Sequence, residues 1–294
     1  MKNTSKTILF FGTEEFSLAS LKALIEAGFP IGAVITKPDS QKGRGRKVTP
    51  PSVKTLALEH GIDVWQPHKL SEITEKIAAF DNPIGVLVSF GKIVPQSIID
   101  LFEPGIINVH PSLLPRYRGP SPIESAIKNG DSSTGISIMQ LDAKMDAGPV
   151  YKQVEIPLNG DETKPELYES LAERGAVELV TSLPLIINNV LQPLPQDDEK
   201  AVYCQLLSKD ATAITPTEHT AIEIERIIRA HLGYPKTRLP FYDESPIVTK
   251  ARVSDTANDY TIQCAEKSFL CIEELVAKSG KTITAQEYLR GLHL

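Results

Sequence analysis

The residue types able to do chemistry in this sequence concentrate between Asn108 and Gly148. Asn108 and His110 stand two apart at the end of a short apolar run, Ile106–His110, that reads as a strand. Side chains two apart on a strand leave the same face, so the amide and the imidazole share it while Val109 turns to the other. Pro111 follows at once, holding His110 extended and ending the strand. A carboxylate comes from the loop LDAKMDAGPV, where Asp146 precedes Ala147-Gly148 and a tight turn can bring it back over the strand ends. Asp142 lies in the same loop, and either aspartate can equally be a turn-former, the commoner role beside glycine. An amide donor, an imidazole and a carboxylate without a metal suit acyl transfer to an amine. The amide and a protonated imidazole would stabilise a developing oxyanion, and the carboxylate would relay the amine's proton.

Elements must carry these groups. Residues 7–12 (TILFFG) and 31–36 read as short strands around a helical stretch in which Leu18, Leu21, Leu24 and Ile25 share one face. Residues 53–60 read as helical, 62–65 as extended, 71–79 as helical and 85–89 (GVLVS) as a buried strand, with irregular, proline-rich chain over 111–122. This alternation predicts βαβ units and a mostly parallel sheet covered on both faces, with ligands at the carboxyl ends of its strands. A long helix follows: Thr163 and Glu166 have capping-box spacing, Ala172, Ala176, Leu179, Leu183, Ile186 and Val190 repeat at helical period, and Pro184 is expected to kink or restart it. Residues 191–200 (LQPLPQDDEK) lose all periodicity and read as a linker. Beyond it, 220–232 is an amphipathic helix with Ile224, Ile227, Ile228 and His231 on one face and a Thr220/Glu223 cap. Short extended pieces at 247–253, 260–264 and 269–276 and a last helical turn over 285–292 predict a small barrel. The expected fold is therefore α/β, a Rossmann-like open, mostly parallel sheet with helices on both faces, plus a small OB-like C-terminal β-barrel. The expected domains are a catalytic one over 1–190, a linker over 191–208 and the barrel over 209–294.

Composition narrows the function classes. At 294 residues, two domains are the prior, and 41% hydrophobic with 23% charged residues excludes a mostly disordered chain. A net charge of −6 gives no overall basic character that would coat nucleic acid or an anionic membrane. Three cysteines without a C-x-x-C pair speak against a disulfide scaffold or zinc knuckle and fit a reducing compartment. No apolar run approaches the roughly 18 residues of a membrane span, and the N-terminal run is too short for a signal-peptide core, so a cytoplasmic protein is expected. G-x-G-x-x-G, G-x-x-x-x-G-K-[ST] and G-x-S-x-G motifs are all absent, as is the H-x-x-x-H spacing of a zinc helix.

The run INVHPSLLPRYRGPSPI at 107–123, with TGISIMQLDAKMDAGPV at 134–150, resembles the folate-dependent formyltransferases. That resemblance implies 10-formyltetrahydrofolate as formyl donor, no metal, and Asn108, His110 and Asp146 as the catalytic set. It implies a pteridine ring against the backbone of Leu87, Val88, Ser89 and Phe90, the loop Ser112, Leu113, Leu114 and Pro115, and the loop around Asp142. The stretch FFGTEEFS at 10–17 and, above all, residues 37–67 are similar to the branch whose basic loop enters the acceptor-stem region of initiator tRNA; nucleotide-sugar and glycinamide-ribonucleotide branches lack the GRGRK-type insertion. The implied acceptor is initiator methionyl-tRNA, with Lys42, Arg44, Arg46 and Lys47 as its contacts and the C-terminal barrel helping to hold it. Charge supports this separately: residues 37–47 carry five cations against Asp39 alone, a net +4 on an acidic protein, and such a loop can follow a phosphate backbone. The last 104 residues, 191–294, carry 12 basic and 15 acidic side chains, with Arg226, Arg229, Lys236 and Arg238 as cations able to share one face. The reaction expected is direct attack of the methionyl α-amine through a tetrahedral intermediate, with Asp146 orienting His110 and accepting the proton, in a monomeric enzyme. Two alternatives stay open: the same chemistry on another amine such as a nucleotide sugar, and a folate- or RNA-binding protein without turnover.

Overall fold

The structure, a computed structural model, describes residues 6–42 and 47–292. Strand β1 (Ile8–Gly12) leads into helix α1 (Phe16–Glu26) and strand β2 (Ile31–Ile35), the first βαβ unit. A hairpin follows, β3 (Ser40–Lys42) against β4 (Lys47–Thr49), which the strand and helix signals of the sequence do not disclose because its strands are three residues long. Helix α2 (Ser52–Glu59), strand β5 (Asp63–Trp65), a 3₁₀ turn (Leu70–Ile73) running into α3 (Thr74–Ala78), strand β6 (Ile84–Val88), the short α4 (Gln96–Ile99) and strand β7 (Ile106–His110) continue the alternation. Then come α5 (Pro122–Asn129), β8 (Ser133–Gln140), β9 (Val150–Pro157) and the long α6 (Lys164–Ile187).

Seven strands form one sheet in the order β5-β2-β1-β6-β7-β8-β9. Pairing is parallel from β5 to β7 and antiparallel between β7 and β8, the mostly parallel sheet expected from the βαβ pattern. Strands β1, β6 and β7 are buried along their whole length, and β1 and β6 accordingly read as continuous apolar runs rather than as alternation, whereas β7 buries Asn108 and His110 as well. One core packs Leu9, Phe11, Ala33, Ile35, Leu87 and Ile106 against Ile73, Ile77, Ile98 and Phe102. On α6, a Cβ at Gly175 would stand 2.8 Å from Cγ1 of Val109, so this glycine lets helix and strand approach closely. Thr163 caps the helix, its N–H and hydroxyl donating to Glu166 at 2.9 and 2.6 Å. The helix runs through Pro184 to Ile187 without the expected restart. It ends on Asn189 in the left-handed region, so Val190, expected on the apolar stripe, is 70% exposed.

The chain divides into two compact units: Met1–Pro120 with Gly135–Ile156 and Tyr168–Tyr203, and Ser121–Thr134 with Pro157–Leu167 and Cys204–Leu294. The second unit contains α7 (Ala221–Ala230), β10 (Thr237–Arg238), β11 (Ile247–Ser254), β12 (Thr261–Gln263), β13 (Phe269–Val276), β14 (Thr282–Thr284) and α8 (Ala285–Gly291). Its strands form a five-stranded antiparallel sheet, β10-β11-β13-β12, with β14 on β13. Helix α7 is closed by the Thr220/Glu223 capping box and packs Ala221, Ile224 and Ile228 against Val248, Leu270 and Ile272.

His231, at the end of α7, is 2% exposed; its Nδ1 lies 3.5 Å from the Thr237 hydroxyl and its Nε2 has no hydrogen-bond partner among the described residues. Burial, reinforced by Lys128 and Lys164, lowers its pKa to about 4 from 6.5. A folded-state pKa below the unfolded value gives stability that is complete above about 6.5 and lost as pH falls toward about 4. Thermal unfolding of the wild type should therefore drop more steeply across that window than that of His231→Gln. Parallel pH profiles would remove His231 as a source of acid sensitivity.

Candidate active site

β7 is an interior strand, parallel to β6 through Leu87↔Asn108 and antiparallel to β8 through Asn108↔Met139 and His110↔Ser137. With Val109 directed at Gly175 of α6, strand alternation sends Asn108 and His110 to the opposite face. Both are 5% exposed. The Asn108 carboxamide makes no hydrogen bond among the described residues, and its polar atoms are not among the buried ones left without a partner, so they reach the open side of the site. It is a ready donor and acceptor on the floor of the site.

The loop after β7 is built from its own polar groups. Ser112 N–H returns to the His110 carbonyl at 2.9 Å, and its hydroxyl donates to the Arg116 carbonyl at 2.6 Å. From β8 the buried Ser137 hydroxyl donates to the Ser112 carbonyl at 2.7 Å and accepts from Leu114 N–H at 3.1 Å. Gln153 of β9 donates to the same hydroxyl at 2.9 Å and to the Leu114 carbonyl at 2.7 Å. Tyr117 then adopts φ +58°, and its carbonyl lies 2.9 Å from His110 Nε2. A carbonyl can only accept, so Nε2 carries the proton and Nδ1 is the nitrogen left for the site.

Asp146 meets that nitrogen from the loop between β8 and β9. Its Oδ1 is 3.8 Å from His110 Nδ1, while Oδ2 accepts Gly119 N–H at 2.8 Å. The sequence expects Asp146 to orient the ring; the hydrogen bond that orients it comes from Tyr117, and the carboxylate stands at ion-pair distance. A neutral ring directs its Nδ1 lone pair at the carboxylate side, whereas the imidazolium has an acceptor beside each N–H. The arrangement can thus take up a proton and balance the resulting charge. Asp142 is exposed and accepts Lys144 N–H at 2.9 Å, a local turn contact.

The residues expected to meet folate divide by burial. Leu87, Val88, Phe90, Ser112 and Leu114 are buried and Ser89, Leu113 and Pro115 half-buried, so what most of them offer a ligand is backbone. Ser89 has φ +46°, and its carbonyl accepts from Thr13 and Glu14 N–H, both at 3.2 Å. Asp142 lines a cleft of about 390 Å³ with Gln96, Asp100, Phe102, Gly105 and Gln140; Asn108, His110 and Asp146 do not line it. On the hairpin, Lys47 is exposed and paired in register with Lys42, while Arg44, Arg46 and the Lys42 side chain lie outside the described residues. Asp39, the one carboxylate in that segment, is held by Lys54 at 2.9 Å. Among the described residues there is no group of three His, Cys, Asp or Glu placed to hold a metal ion, and no helix long and apolar enough to cross a membrane. Tyr117, Gly119, Ser137 and Gln153 are the site residues that sequence reasoning missed. They act through backbone or as single hydroxyl and amide groups, which leave no spacing signal.

Residues 6–183 match the family model described as formyl transferase. Two relatives called methionyl-tRNA formyltransferase align over nearly full length. One, from Agathobacter rectalis, is 35% identical over 98% of this chain and 97% of its own, and one from Halorhodospira halophila is 38% identical over 98% and 96%. Among solved structures, the sugar 3N-formyl transferase WlaRD, crystallised in the presence of dTDP and 5-N-formyl-THF, shares the fold with a TM-score of 0.70 and 21% identity, covering 93% of this chain and 98% of its own. The chain belongs to the formyl transferase family, in the group of the methionyl-tRNA formyltransferases.

Proposed function

We propose that this chain transfers the formyl group of 10-formyltetrahydrofolate to the α-amine of methionine esterified to initiator tRNA. The observation that carries the mechanism is the Asn108 amide, which has no hydrogen-bond partner among the described residues and keeps its polar atoms at the surface of the site, beside a histidine whose Nε2 is already committed to Tyr117. This donor set fits a formyl carrier: one amide faces the site unsatisfied, and the surrounding chain offers backbone edges to a planar ring. When bound, the folate supplies an activated formyl carbon next to these groups. The Asn108 N–H donates to the formyl oxygen as negative charge develops there, which is worth most in a site closed to water. Asp146 keeps Oδ1 free, because Gly119 occupies Oδ2, and takes the proton released by the attacking amine directly or through a water. His110, once it takes a proton from solvent, adds an Nδ1–H to the oxyanion, with its charge balanced by Asp146 at 3.8 Å. As the oxyanion collapses, the bond between the formyl carbon and the folate nitrogen breaks, the proton held by Asp146 passes to that nitrogen, and tetrahydrofolate leaves. Leu87–Phe90, Ser112–Pro115 and the Asp142 loop bind the pteridine, and no metal takes part.

In the same reading, residues 1–190 are the catalytic domain, 191–208 the linker and 209–294 a tRNA-holding domain of a monomeric, cytoplasmic enzyme. Lys42, Arg44, Arg46 and Lys47 contact tRNA phosphates. Full-length relatives called methionyl-tRNA formyltransferase support the tRNA acceptor.

The direct test is formyl transfer from 10-formyltetrahydrofolate with methionyl initiator tRNA, elongator methionyl-tRNA, free methionine and a nucleotide amino sugar as parallel acceptors. Turnover is expected on the initiator species alone; turnover on the sugar alone would overturn the acceptor. Asn108→Ala should keep the wild-type melting temperature and lose about 10²–10³ in turnover, as removal of one oxyanion donor does. A variant that unfolds instead would make Asn108 a structural residue. Replacing Lys42, Arg44, Arg46 and Lys47 by Ala should weaken tRNA binding and flatten its salt dependence by up to about 0.9 for each phosphate no longer neutralised, leaving folate binding unchanged. An unaltered salt slope would take these residues out of the interface.

A further inference from the structure

The segment after α6, which reads as a linker in the sequence, is hydrogen-bonded to the turn that carries Asp146. Gln196 Nε2 donates to the main-chain carbonyl of Asp146 at 2.8 Å and to that of Gly148 at 2.7 Å. Its Oε1 accepts from Arg118 Nε at 3.0 Å. Arg118 is 2% exposed; its remaining guanidinium nitrogens reach Asp198 at 2.7 Å and the Tyr203 hydroxyl at 3.2 Å, and its main-chain N–H donates to the Val202 carbonyl at 2.9 Å. On the other side, Leu194 and Val150 exchange N–H···O bonds at 2.8 and 2.9 Å.

The segment therefore bridges the two loops that complete the site. The loop after β7 gives Tyr117 carbonyl to His110 and Gly119 N–H to Asp146; the loop after β8 gives Asp146 itself. Asp146 has φ +49°, which L-residues seldom adopt. Two residues on, a Cβ at Gly148 would stand 2.0 Å from the Gln140 carbonyl oxygen, so the turn has little room to relax into another shape. A primary amide is the side-chain group that can give two N–H bonds to neighbouring carbonyls and still accept from a guanidinium.

We propose that Gln196, held by Arg118, is a positioning residue for Asp146: it fixes the left-handed turn and so aims the carboxylate at His110. The proposal rests on Asp146 being the proton acceptor read above, and the test separates the two. Gln196→Leu removes all three hydrogen bonds at similar bulk. With 10-formyltetrahydrofolate and methionyl initiator tRNA, its kcat should fall about 10- to 100-fold, as ångström-scale misplacement of a catalytic group does. KM for both substrates should change less than about twofold. In an Asp146→Ala background the same substitution should cost nothing further, because a residue acting through Asp146 has nothing left to act on. Equal losses in both backgrounds, or wild-type kcat in folded Gln196→Leu, would overturn the proposal. Gln196→Met, which keeps the length and removes the donors, serves if Gln196→Leu does not fold. Full activity of Asp146→Ala alone would remove the underlying reading, and the positioning role with it.

Discussion

The packing of Val109 against Gly175 decides which face of β7 becomes chemistry. Because α6 lies on one side of this interior strand and approaches to where a Cβ at Gly175 would be 2.8 Å from Val109, the valine is held there and its two neighbours must point away. A register shift of one residue would bury Asn108 and His110 beneath the helix and turn Val109 to the site. The strand is also locked on both edges, by β6 and by β8, so the shift is opposed by two ladders as well as by packing. The site therefore rests on a rigid element, with mobile chemistry confined to side chains and to the loops that meet them.

Those loops are ordered by polar groups rather than by apolar burial. Ser137 alone bonds Ser112, Leu114 and Gln153, and Tyr117 and Gly119 each spend a main-chain group on a side chain of the candidate site. Such a network carries a low conformational cost at the moment of reaction, because its dipoles already face the groups they serve. Two left-handed non-glycine residues, Tyr117 and Asp146, sit at the ends of the network, one aiming a carbonyl and the other a carboxylate. Backbone in that region costs of order 1–3 kcal/mol per residue and persists where surrounding bonds over-determine it. Against this order, the Asn108 amide has no hydrogen-bond partner among the described residues.

Charge is organised differently in the two units. In the C-terminal sheet, Lys250 and Arg252 share Glu273, and Lys278 pairs with Glu244. Arg229, one of the cations that the sequence offers for a basic face, is bound to Glu225 at 2.6 Å. The pairs of Glu273 and Glu244 are exposed on their cationic side and contribute little to stability, but all of these pairs cancel field locally. The net +4 of residues 37–47 instead belongs to one short stretch of the sequence whose single carboxylate, Asp39, is already engaged by Lys54. The strongest cationic feature legible in the sequence thus belongs to the first compact unit.

Much of this is legible in one dimension. Apolar runs of five residues mark β1, β2 and β6, helical periodicity with capping pairs marks α6 and α7, and the two-residue spacing of Asn108 and His110 puts them on one face, since each of these signals is carried by neighbours in the chain. Strands β8 and β9 are not among the elements expected from the sequence: β8 mixes Ser, Thr and Gly into a run buried at all but its two ends, and β9 mixes charged and polar residues into a half-exposed alternation. The sequence also does not say that Val190 falls past the helix end, that Pro184 is tolerated inside it, or that the segment read as a linker holds the Asp146 turn through Gln196. Sequence alone determined the parallel strands, the long helices and a short set of candidate reacting groups, because periodicity and residue chemistry are local properties. Only the tertiary structure decided which carbonyl holds His110 and which amide holds Asp146, because those hydrogen bonds join segments that meet only once the sheet has formed.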